Sequence, residues 1–170
     1  MSIIKKILSL TIILSVTLIS KTFANDLKKI GKYKDWEVMV VSEQSGKVCL
    51  AQSIPVLQAP KSNKRDAKLF VAFRPNESIT NEVSVTPGYE FNKSNSVTAA
   101  SGKNKFKFDI KEQGFAWIAD NKIELKMIKQ MRKGSRIMIT GYNQKGSQTI
   151  DHYSLLGFTK AYNASRKACS

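Results

Sequence analysis

Histidine is almost missing from this 170-residue chain: His152 is the sole example, and only two cysteines, Cys49 and Cys169, accompany it. Three such side chains fall short of the four ligands a structural zinc site needs, and neither an H-E-x-x-H nor a G-x-S-x-G pattern is present. No metal or cofactor is therefore expected. Acid is also scarce, with 13 Asp and Glu against 28 Lys and Arg and a net charge of +15. Only one apolar run, Ile7 to Ile19, is long enough to notice. It is shorter than the roughly 20 residues of a spanning helix, and no later segment is continuously apolar.

That run sits between Lys5-Lys6 and Ser20-Lys21-Thr22-Phe23-Ala24, the three-part order of a secretory signal peptide with small residues before the cut. We expect residues 1–24 to be a signal peptide and residues 25–170 to form the mature chain, with no transmembrane segment after cleavage. Its length suits one domain with a real core.

Both cysteines survive that cut. In an oxidising compartment a pair of this kind reads as a structural disulfide, Cys49 to Cys169. The C-x-x-C spacing that tunes a reactive thiol is absent, so a redox couple is the weaker reading.

Period-two patterning dominates the rest. Trp36 to Val41 and Lys47 to Gln52 form a hairpin around a polar, Gly-bearing turn, with Cys49 in its second strand. Lys68 to Arg74 reads as a buried strand, Glu82 to Thr86 and Phe106 to Ile110 as half-wet strands, and Gly114 to Ala119 as a short further one. Arg136 to Tyr142 and Gln148 to Tyr153 make a last hairpin. Ala59 to Lys68 reads as a surface loop. From Asn121 to Met131 the spacing changes to three and four, with Asp120 or Asn121 as cap and Gly134 as stop, which predicts a helix. Ser154 is placed to cap a short terminal helix through Leu155, Phe158 and Ala161. The expected fold is mainly β, an antiparallel sandwich-like single domain with one or two short helices.

Catalytic sets are weak. Asp151 and His152 are adjacent, but neighbours on a strand point to opposite faces, so they cannot pair as a triad requires. Asp109, Glu112, Asp120 and Glu124 could supply the two carboxylates of a glycosidase, yet nothing in their spacing brings them together, and they read as solvated charges. Trp36 and Trp117 read as core residues, as do Met127 and Met131. Lysines and phenylalanines alternate at Lys105-Phe106-Lys107-Phe108 and so face opposite ways, which does not suit a nucleic-acid stacking surface. No nucleic-acid partner is expected.

Four segments together carry a resemblance: Asp35-Trp36-Glu37-Val38, Cys49-Leu50-Ala51-Gln52, Gly134-Ser135, and Ser154-Leu155-Leu156-Gly157-Phe158-Thr159-Lys160-Ala161. In this order the chain resembles the invasion-associated locus B family of alphaproteobacterial exported proteins. The resemblance implies a periplasmic or envelope-associated β-rich domain, named for a role in host-cell entry, with no established enzymatic chemistry and no catalytic residues to transfer. Members commonly carry a cysteine close behind the Trp-Glu-Val segment. Met39 to Ser42 holds none, which leaves Cys169 as the candidate partner of Cys49.

Charge supplies the functional expectation. Cleavage at Ala24 removes three lysines and still leaves a strongly basic chain, which favours anionic surfaces. The leading reading is a non-enzymatic protein that is periplasmic, outer-membrane-associated or secreted. Its basic face, formed by Lys103, Lys105, Lys107, Lys126, Lys129, Arg132 and Lys133, is expected to engage an envelope or host protein or an anionic lipid or polysaccharide surface. The alternatives are a periplasmic hydrolase of envelope polymers and an assembly factor for envelope proteins.

Overall fold

The computed structural model describes residues 26–62 and 64–170; the expected signal peptide lies outside them. Among the described residues twelve strands form, the central ones with one buried and one wetter face and the edge strands with little buried: β1 Asp26–Tyr33, β2 Trp36–Glu43, β3 Gly46–Ser53, β4 Leu57–Ala59, β5 Lys68–Arg74, β6 Ile79–Thr86, β7 Val97–Ser101, β8 Asn104–Phe108, β9 Ile110–Glu112, β10 Phe115–Trp117, β11 Arg136–Tyr142 and β12 Gln148–Ser154. Two helices join them, α1 Asn121–Lys133 and α2 Phe158–Ala168.

The strands form two antiparallel sheets. The larger runs β1-β2-β3-β5-β6-β10-β9 and the smaller β4-β12-β11-β7-β8. In the larger sheet the register sets Val38 opposite Ala51, Ala51 opposite Val71 and Val71 opposite Val83, so one face presents a continuous apolar layer. Val97, Ala99, Ile137, Ile139 and Tyr153 of the smaller sheet meet it, and both helices close the same core with Met127, Met131, Phe158 and Tyr162. Trp36 is fully buried and lies 4.8 Å from the Phe158 ring. This is the expected mainly β fold with two short helices.

The disulfide forms between Cys49 and Cys169, whose Cα atoms are 5.7 Å apart. It fastens the residue following α2 to the middle of β3. The helix α1 starts at the expected cap, where the Asp120 carboxylate accepts from the Lys122 amide at 2.7 Å. The second helix begins later than expected. Ser154 Oγ accepts from the Leu156 amide at 3.2 Å and so shapes the turn ahead of α2, while Gly157, at φ 90°, occupies the cap position.

The segment from Ala59 to Lys68 is not wholly a surface loop. It sends the Arg65 guanidinium inward onto Asp151, with bonds of 2.9 and 2.7 Å and both side chains 4% exposed. Tyr89, within cation–π range of Arg65 at 5.8 Å, and its partner Thr149 complete this polar corner of the core.

Candidate functional site

The helix α1 buries Glu124, Met127, Ile128 and Met131 on one side. At its 3.6-residue period the positions Lys126, Lys129 and Lys133 fall together on another side and are exposed. β8 runs alongside, its Ala99-paired Phe106 half-buried and Lys105 exposed. Between helix and strand lies an open groove of about 480 Å³, lined by Asn104, Lys105, Phe106, Ile123, Lys126, Lys129, Gln130 and Lys133. No carboxylate is in that lining, and none of its four lysines forms an ion pair among the described residues. Two basic segments some twenty residues apart in sequence thus face one another across an apolar floor.

The other three predicted basic residues sit differently. Lys103 is exposed in the turn that leads into Asn104. Lys107 lies one strand repeat further on and faces Asp109 at 3.8 Å. Arg132 points away from the groove: its guanidinium covers the Tyr162 ring at 4.4 Å and donates to Asn163 Oδ1 at 3.0 Å. It joins α1 to α2.

His152 and Asp151 do face opposite ways. Asp151 is buried against Arg65, whereas His152 shares the other face of the sheet with its register partners Met138 and Leu57. The four acids did not all turn out to be solvated. Glu124 is only 8% exposed, and its Oε1 accepts from the Val83 amide at 2.8 Å. Burial pushes its carboxyl up to about 7, the backbone hydrogen bond partly offsets this, and the charges of Glu82 and Asp120 add to the rise. Glu82, Glu112, Glu124 and Trp117 line a shallow cleft.

Trp117 is also not a core residue. In β10 it is Ala116 that is fully buried, while Phe115 and Trp117 are half-buried on the outer face, stacked at 5.7 Å. Phe70 extends the row, 6.2 Å from Phe115. The small residue at the centre of the triplet marks the inward face, a signal that residue size alone conceals.

The family model described as invasion associated locus B protein matches residues 36–166. The chain belongs to this family. Among solved structures, the crystal structure of invasion associated protein B from Bartonella henselae is similar, with a TM-score of 0.56 and 14% identity over 82% of this chain and 96% of that one. At that identity the likeness concerns the fold. No curated protein is significantly similar to the chain. The matched span runs from Trp36 past Tyr162, so it contains the groove, α1, all but the last two residues of α2 and the polar corner. Cys169 lies just beyond it.

Proposed function

We propose that this invasion associated locus B protein is an exported, non-enzymatic binding protein whose α1–β8 groove takes anionic groups of an envelope or host surface. The observation that carries the reading is the convergence of Lys105, Lys126, Lys129 and Lys133 on a groove without a carboxylate. Like charges held this close repel one another, and an anion bound between them removes that repulsion. Phe106 and Ile123 supply apolar contact for the body of a ligand whose charges the ammonium groups hold. The disulfide fits an oxidising compartment, and among the described residues no helix is long and apolar enough to cross a membrane. Residues 1–24 are the export signal in this reading, and the periplasm, the outer membrane or the medium is the destination.

The test is binding of a sulfated polysaccharide, dextran sulfate, at rising salt. Binding that weakens steeply between low and physiological ionic strength supports the reading; binding that is absent or insensitive to salt overturns it.

A second reading, hydrolysis of envelope polymers, is favoured by one observation: a carboxyl held near 7 in a cleft with two further carboxylates and a tryptophan. A raised carboxyl of this kind can act as a general acid. Release of reducing ends from envelope glycans by the wild type and its loss in E124Q would support it.

A further inference from the structure

The antiparallel register gathers five connections at one end of the molecule. Ser53 Oγ donates to the Asp35 carbonyl at 2.8 Å, Trp36 Nε1 to that of Ser154 at 2.9 Å and Ser101 Oγ to that of Arg136 at 3.1 Å. The Val56 amide donates to the His152 carbonyl at 2.8 Å and the Asp35 amide to that of Leu156 at 3.3 Å. The turns β1–β2, β3–β4, β7–β8, α1–β11 and β12–α2 therefore share one surface.

Three aliphatic side chains stand out from it: Ile54 is 62%, Val56 58% and Leu156 61% exposed. They border two adjoining concavities that have Asp35 and Val56 in common. Single exposed aliphatics are ordinary; three at one end, on loops rather than on a packing face, need a cause. Pro55 separates two of them and restricts the loop that carries them. The exposed cations lining these concavities are Lys34, Arg136 and Lys32, the last of them 3.8 Å from Glu37, while Lys103 in the β7–β8 turn and Lys133 at the end of α1 are exposed on the neighbouring connections. The acids nearby are Asp35 and Glu37, and Glu37 is already bonded to Lys29 at 2.5 Å. Lys133 also lines the α1–β8 groove, so the groove opens toward this same end.

A soluble polyanion has no use for protruding Ile, Val and Leu side chains. An anionic bilayer does, because aliphatic groups enter the boundary between headgroups and acyl chains while flanking ammonium and guanidinium groups meet the phosphates. We propose that this end docks on an anionic lipid bilayer, with Ile54, Val56 and Leu156 entering the interface and Lys34, Lys103, Lys133 and Arg136 holding the headgroup phosphates. The inference rests on the anion-binding reading and names the lipid surface as the partner.

The experiment is co-sedimentation with vesicles of phosphatidylglycerol and phosphatidylethanolamine, with phosphatidylcholine vesicles and dextran sulfate as parallel probes. The variant I54S/V56S/L156S changes only exposed positions, and its circular dichroism and melting temperature report that the fold is kept. The expected result is wild-type binding to phosphatidylglycerol vesicles over phosphatidylcholine, about tenfold weaker vesicle binding by the triple variant, and unchanged binding of dextran sulfate. Equal vesicle binding by the folded variant would overturn the insertion. A wild type that takes dextran sulfate but not vesicles would overturn the lipid partner and leave the anion-binding reading standing. Failure to bind either would remove both.

Discussion

Two buried charged residues show how single side chains constrain this molecule. Asp151 is committed to Arg65 in a two-bond contact that water scarcely reaches. D151N keeps the shape and removes the countercharge, leaving a buried guanidinium unpaired, a change that costs about 3–5 kcal/mol. Urea unfolding of D151N should show its midpoint displaced accordingly. A loss below about 1 kcal/mol, the range of exposed pairs, would contradict the burial of this corner. Glu124 tests the sign of a different effect. Its carboxyl sits near 7 in the fold, above its value in the unfolded chain, so the fold binds the proton more tightly. Stability therefore falls as pH rises from about 4.5 to about 7 and then levels off. E124Q lacks this titration. Its melting temperature relative to wild type should rise across that window, and a constant difference would contradict the raised carboxyl. The two burials differ in legibility: Arg65 stands in a polar, Pro-bearing stretch that gives no sign of it, whereas Glu124 precedes Met127, Ile128 and Met131 at helical spacing and so shares their face, a placement that its charge conceals.

At the scale of the elements, patterning and outcome agree where one face is buried and the other wet. The hairpins β2–β3 and β11–β12 and the helix α1 follow from period together with their turn and cap residues, and the strand β5 from a compact apolar run. β1 escapes notice because an edge strand with the sequence Asp-Leu-Lys-Lys-Ile-Gly-Lys-Tyr buries little and so need not alternate. β7, Val-Thr-Ala-Ala-Ser, escapes because its inward Val97, Ala99 and Ser101 alternate with residues of similar size and give little hydrophobic contrast. The start of α2 depends on tertiary contact. Gly157 holds φ 90°, and a Cβ there would lie 1.9 Å from the Tyr33 carbonyl oxygen. G157A combines left-handed strain with a backbone collision and should lower stability by roughly 2 kcal/mol or more, measured by thermal or urea unfolding. An unchanged midpoint would mean that the turn before α2 does not press on the β1–β2 connection. The groove was half legible. Basic residues in 103–107 and 126–133 are visible in the sequence, but only the fold places Lys105 opposite Lys126 and turns Arg132 toward Tyr162.

The whole molecule is held by one covalent link and distinguished by one sign of charge. The Cys49–Cys169 bond spans 120 residues, a loop for which chain entropy gives roughly 4–5 kcal/mol. The C49S/C169S pair should melt on the order of 10 °C lower than the oxidised protein, as measured by calorimetry with and without reductant; identical melting would show that the link adds nothing to a core already closed by α2. Charge is the harder case, because a basic chain binds polyanions to some extent whatever the arrangement of its lysines. The central claim is that arrangement matters. The deciding measurement compares dextran sulfate binding by K126E/K129E, in the groove, with that of K145E/K167E, an equal change of net charge at exposed positions outside it. A groove site predicts a loss of about tenfold or more for the first pair, at ~1 kcal/mol per lysine reversed, and a loss several times smaller for the second. Equal losses in the two variants would contradict it and reduce the binding to net charge.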